Sequence, residues 1–119
     1  MGNYRNLAVW QKSMVLVTNI YEVTKVFPKE EVFGLTSQIR RCSISIPSNI
    51  AEGYGRGGDI ELKRFLSISV GSLFELQTQI EIAYNIRYID QATFKSLYDS
   101  TRELEIMLTS FINKIKQDS

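Results

Sequence analysis

The sequence predicts an all-α fold, an up-and-down antiparallel four-helix bundle whose second helix is kinked near Pro47. Three observations predict it. Apolar residues recur at three- and four-residue spacing in four segments, the breaks between them are short and rich in Pro, Gly or Asp, and no stretch shows β alternation. Helices of this length joined by short connections pack most simply as antiparallel neighbours. At 119 residues the chain is one domain, 1–119.

The first helix is expected from about Leu7 to Phe27. Leu7, Val9, Trp10, Met14, Leu16, Val17, Ile20, Tyr21, Val23 and Phe27 spread over roughly 200° of its surface, wider than the stripe of about 100° that one intramolecular face needs. The excess suggests burial against another subunit, with Val9, Leu16, Ile20, Val23 and Phe27 as the candidate oligomer interface. Phe27-Pro28 ends the helix, because a residue before proline is pushed out of the α region.

The second helix is expected from about Phe33 to Ala51, with Leu35, Ile39, Cys42, Ile46 and Ile50 on one stripe. On that stripe Cys42 reads as a small buried hydrophobe rather than a redox or nucleophilic thiol. Pro47 lies inside the segment, deletes one backbone hydrogen bond and crowds the carbonyl four residues back, which predicts a kink or break near Ser45 to Pro47. The third helix starts at the candidate cap Asp59 and runs to about Ile86 on Leu62, Phe65, Leu66, Ser69, Leu73, Leu76, Ile80 and Ala83. The fourth starts at the candidate cap Asp90 and repeats Phe94, Leu97, Thr101, Leu104, Leu108, Phe111 and Ile115, a heptad-like spacing.

Composition narrows the chemistry. Hydrophobic residues make up 44% and charged residues 23%, an ordinary globular balance, and the net charge is +1. Histidine is absent, which removes imidazole general bases, Ser/His/Asp or Cys/His pairs and imidazole metal ligands. The single cysteine, Cys42, rules out an internal disulfide and any multi-cysteine zinc site. Neither a catalytic site nor a metal site nor a cofactor is expected. The longest apolar runs, Leu7 to Trp10 and Met14 to Val17, are four residues each, far short of the roughly 20 that span a bilayer. With no signal-peptide core at the N-terminus, the expected location is the cytoplasm and no membrane partner is expected.

Gly53-Tyr54-Gly55-Arg56-Gly57-Gly58 matches G-x-G-x-x-G ahead of a helix. A dinucleotide fingerprint also needs a preceding strand, whereas here a helix precedes, and Asp59 would set a negative charge where the pyrophosphate belongs. The stretch reads instead as a connector with Gly53 as a left-handed helix cap. Arg56 on it remains able to touch a phosphate. Charge is uneven along the chain: residues 1–58 carry seven Lys/Arg against four Asp/Glu, and residues 59–119 carry seven against nine. Arg40 and Arg41, with Lys29 and Arg56, form the basic part of the sequence and are the candidate nucleic-acid contacts. Glu75, Glu81, Asp99, Glu103 and Glu105 on the last two helices lack the histidines that a di-iron bundle needs, and read as solvent-facing or paired on the surface.

Several strings together carry a resemblance: Leu7-Ala8-Val9-Trp10-Gln11-Lys12, Phe27-Pro28, Phe33-Gly34-Leu35, Gln38-Ile39-Arg40-Arg41, Ser45-Ile46-Pro47-Ser48-Asn49-Ile50-Ala51-Glu52-Gly53, and Gly71-Ser72-Leu73 with Glu75-Leu76. Over nearly its whole length the chain resembles the bacterial 23S rRNA-intervening-sequence proteins. The resemblance implies a four-helix bundle assembling as a ring, a homopentamer, in the cytoplasm and without known catalysis. Some relatives are encoded within intervening sequences of large-subunit rRNA genes, and the related accessory variability determinant of diversity-generating retroelements is a basic pentamer associated with nucleic acid and a reverse transcriptase. The Ser45-to-Gly53 string has two readings. In one, Pro47 bends the helix while Ser48, Asn49 and Glu52 satisfy the backbone groups freed there; in the other, the string binds a ligand. The favoured functional expectation is a non-enzymatic oligomeric scaffold that contacts RNA or other nucleic acid through its basic surface. The alternative is an adaptor for a protein partner.

Overall fold

The computed structural model describes residues 3–118, with side chains to Ile115. Its elements are a short 3-10 turn Tyr4–Asn6, α1 Ala8–Thr24, a second 3-10 turn Lys29–Glu31, α2 Leu35–Gly55, α3 Asp59–Asn85 and α4 Gln91–Asp118. Among the described residues there is no strand. The bundle measures 45 × 23 × 20 Å. Each helix packs on two others: α1 on α2 and α4, α3 on α2 and α4, with the α2–α3 interface the most extensive.

The expected apolar stripes form the core. Ile39, Ile46 and Ile50 of α2, Leu66, Leu73, Leu76 and Ile80 of α3, and Leu104 and Leu108 of α4 are all buried. Ser69 and Thr101 interrupt their stripes without cost, because small hydroxyls bond to carbonyls at the helix surface. Ser69 donates to the Ile46 carbonyl across the α2–α3 interface at 3.0 Å, and Thr101 to the Tyr98 carbonyl at 2.7 Å. Cys42 is buried as expected and donates its S–H to Gln79 Oε1 at 3.2 Å. Burial, helped by the negative charge of Glu75, pushes its thiol up to about 12, so it stays protonated at neutral pH.

Four of the five candidate interface residues are corrected. Val9, Leu16, Ile20 and Phe27 belong to the subunit's own core, and Val23 packs partly buried against it. The wide apolar arc of α1 has an intramolecular cause, because this helix presents one flank to α2 and another to α4. A buried side chain has no surface left to give a second subunit. The exposed apolar residues of α1 are instead Met14 and Val15.

The helix ends also move. α1 stops at Thr24, and α2 runs without a break through Pro47 to Gly55, four residues past its expected end. The deletion of one hydrogen bond at Pro47 is offset by polar ties nearby. Asn49 Nδ2 donates to the Ser45 carbonyl at 2.8 Å, and the Ser45 and Ser72 hydroxyls meet at 2.9 Å across the α2–α3 interface. Ser48 is exposed, and Glu52 binds Arg56 instead of the backbone. Gly53 is not the left-handed cap: it is helical, and a Cβ on it would fall 2.6 Å from the Phe65 Cβ. The left-handed turn falls at Gly57, with φ of 81°. α3 is capped from Gly58, with Asp59 as its first residue. Asp90 caps α4 as expected, its Oδ1 accepting from Thr93 N–H at 2.8 Å.

Candidate nucleic-acid interface

The four candidate cations fall into three places. Arg40 lies at the start of α2 and reaches back to the end of α1. Its Nε donates to Thr24 Oγ1 at 2.8 Å, and its guanidinium lies 4.5 Å from the centre of the Tyr21 ring. Thr24 in turn donates to the Ile20 carbonyl at 2.8 Å, so the acceptor that orients Arg40 is itself fixed. Arg41, rotated by about 100° around the helix, leaves that site and stands exposed. The two arginines adjacent in sequence are therefore not one patch.

Lys29 and Arg40 do come together. They line an open depression of about 490 Å³ between the end of α1, the 3-10 turn and the start of α2, together with Lys25 and the hydroxyl residues Thr24 and Thr36. Phe27 and Pro28 form its apolar wall. Three cations and no carboxylate line this hollow. The Lys25 ammonium is 2.9 Å from Glu22 in a pair exposed on both sides, and such pairs are worth less than about 1 kcal/mol. Lys25 was not singled out by the sequence. Its signal was spacing, four residues before Lys29 across the Pro28 turn.

Arg56 is elsewhere and already engaged. It binds Glu52 at 2.8 Å, lies 3.8 Å from Glu61, and covers the Phe65 ring at 5.1 Å, which ties the end of α2 to the start of α3. Flanked by two carboxylates and the Phe65 ring, where Lys25 faces one carboxylate, it clasps the α2–α3 connection. The expected surface pairing of the carboxylates on α4 is present: Glu103 binds Lys12 at 2.6 Å and Glu105 binds Arg102 at 2.6 Å. Among the described residues no group of three His, Cys, Asp or Glu side chains is placed to hold a metal ion. No helix among them is long and apolar enough to cross a membrane.

Glu31 closes the basic end of the bundle. Its carboxylate accepts from Leu35 N–H at 3.0 Å, capping α2, and from the Tyr88 hydroxyl at 2.8 Å, which arrives from the α3–α4 connection. These two bonds, the backbone one first, hold the Glu31 carboxyl below the usual carboxylate range. Beside it the end of the bundle exposes Val26, Val32 and Phe33, the last 94% exposed.

Comparisons with known proteins agree with this architecture. A crystal structure of a protein of unknown function from the S23 ribosomal protein family of Bacteroides thetaiotaomicron VPI-5482 superposes with a TM-score of 0.82 at 24% identity. The match covers 88% of this chain and 98% of that one, which shows the shared fold. No curated protein matches the chain. The family model of the 23S rRNA-intervening sequence protein matches residues 5–110, and the chain belongs to that family.

Proposed function

We propose that this protein is a non-enzymatic, self-assembling helical scaffold that holds nucleic acid by its phosphates. The observation that supports this most is the depression lined by Lys25, Lys29 and Arg40 with no carboxylate in its wall. Arg40 is preorganised there by Thr24 and Tyr21, and the two lysines reach in from an exposed turn. One such hollow is a weak site. Assembly as a ring, probed first for a pentamer, repeats it around an axis, and each neutralised phosphate adds counterion release to the affinity. Contacts of this kind position nucleic acid without reading bases, so binding is expected to fall with salt and show little sequence preference.

Titration of the purified protein against a structured RNA and a duplex DNA at low and moderate salt tests the reading. A second reading, an adaptor for a protein partner, draws support from the exposed Val26, Val32 and Phe33 beside the hollow. Absence of nucleic-acid binding at low salt would favour it. Light scattering of the same sample tests assembly, and a monomer mass at micromolar concentration would contradict the ring.

A further inference from the structure

Two of the exposed apolar surfaces of the subunit differ in shape. One is a groove of about 330 Å³ between α1 and α2, lined chiefly by Tyr4, Trp10, Met14, Val17, Ile44 and Pro47. Met14 and Ile44 are each 41% exposed on its rim, too open for core residues and too apolar for a solvated face. The other is a ridge on the outer side of α3, where Phe74 is 48% and Ile82 43% exposed. Phe74, Thr78 and Ile82 follow one another at four-residue spacing and so share one face of the helix.

Charge distinguishes the two surfaces in a complementary sense. Arg5 lies over the rings of Tyr4 and Trp10, at 5.3 and 5.5 Å, at one end of the groove. Arg41 stands one turn before Ile44 at the other end. Neither is in an ion pair among the described residues. Beside the ridge stand Glu75 and Glu81, both exposed and equally without a cation partner among the described residues. Lengths agree as well: the groove runs beside α2 from Ile44 to Ala51, about 10 Å, and Phe74 to Ile82 spans about 12 Å.

We infer that the α1–α2 groove of one copy receives the Phe74–Ile82 ridge of α3 from a second copy, with Arg5 and Arg41 meeting Glu75 and Glu81. The inference rests on the self-assembly reading above and adds the surfaces that perform it. Because groove and ridge are different surfaces, the contact is heterologous. Each copy that offers its ridge to one neighbour keeps its groove open for another, and such a contact closes into a ring when the rotation permits. The ridge enters the groove as an amphipathic helix enters a partner's cleft, by anchors spaced at helical intervals.

Complementation between two broken surfaces tests this. Met14→Glu/Ile44→Glu breaks the groove and Phe74→Glu/Ile82→Glu breaks the ridge, all at exposed positions, with circular dichroism checking that each variant is folded. If wild type is an assembly, each variant alone is expected to sediment as a monomer, and an equimolar mixture to give a 1:1 dimer and nothing larger, since one intact groove and one intact ridge remain. In an otherwise wild-type chain, Ser48→Cys/Thr78→Cys is expected to form a ladder of disulfide-linked oligomers on mild oxidation, whereas Ser48→Cys alone stays unlinked. Wild-type mass retained by either folded glutamate variant would overturn the groove-and-ridge contact while leaving assembly standing. Efficient linking of Ser48→Cys alone would do the same, since it marks a groove-to-groove contact. A monomeric wild type would overturn both.

Discussion

Gly53 on α2 and Phe65 on α3 approach so closely that a methyl group on the glycine would lie 2.6 Å from the Phe65 Cβ. The glycine is there for the packing of two helices, not for a turn. Replacing it sets helix propensity against overpacking. Alanine gains about 1 kcal/mol of propensity in a helix interior, while forcing a methylene into a packed contact costs about 1–3 kcal/mol. Gly53→Ala is therefore expected to destabilise, read as a lower urea midpoint at unchanged slope. Gly71, mid-helix on α3 with nothing within 4 Å of its missing Cβ, gives the opposite sign. Gly71→Ala is expected to stabilise by about 0.5–1 kcal/mol.

Arg40 is held by the Tyr21 ring and the Thr24 hydroxyl together. Lysine lacks the planar fork that does both, so Arg40→Lys is expected to lose most of the stability that Arg40→Ala loses, on the order of 1–2 kcal/mol. A double-mutant cycle with Tyr21→Leu measures the stacking part. Coupling near zero would show that the arginine stands free, contrary to its geometry.

The carboxyl of Glu31 is held below its ordinary range in the folded protein, and this fixes the sign of a pH effect. Between the folded and unfolded values the unfolded chain binds more protons, so the contribution is present above about pH 4.5 and is lost as pH falls through the folded value. Glu31→Gln is expected to lower the melting temperature at pH 7 and to flatten the acid side of the stability profile. In Tyr88→Phe the Glu31 carboxyl, followed by NMR titration, is expected to move up only part of the way, because the Leu35 N–H remains.

Cys42 is expected to resist thiol reagents in the native state at pH 8, since its thiol is buried and pushed up to about 12. Modification should follow global unfolding as urea is raised. Rapid labelling of folded protein would contradict the buried Cys42–Gln79 contact.

Much of the fold was legible because three- and four-residue spacing maps directly onto a buried helix face; the stripes through Ile39, Leu73 and Leu104 needed no tertiary knowledge. What was misread needed the neighbours. The breadth of apolar surface on α1 looked like an oligomer contact, but Val9, Leu16, Ile20 and Phe27 serve the subunit's own core between α2 and α4. Gly53 looked like a cap because sequence shows that a side chain is missing and not what occupies its place. Arg40 and Arg41 looked like a pair because adjacency in sequence conceals a rotation of about 100°. Lys29 was legible as one of the residues of the basic part, whereas the pairing of Arg56 with Glu52 and its approach to Glu61 required the α2–α3 turn to be folded.

If nucleic acid is held by its phosphates, the hollow of Lys25, Lys29 and Arg40 is where the contact is made. The most direct measurement is the salt dependence of RNA binding by wild type, Lys25→Glu/Lys29→Glu and Arg56→Ala, with each variant's assembly state checked by light scattering. Wild-type affinity is expected to fall steeply with salt, the charge reversal to abolish binding without changing the mass, and Arg56→Ala to leave the salt slope near wild type. Binding by Lys25→Glu/Lys29→Glu with wild-type affinity and salt slope would contradict it.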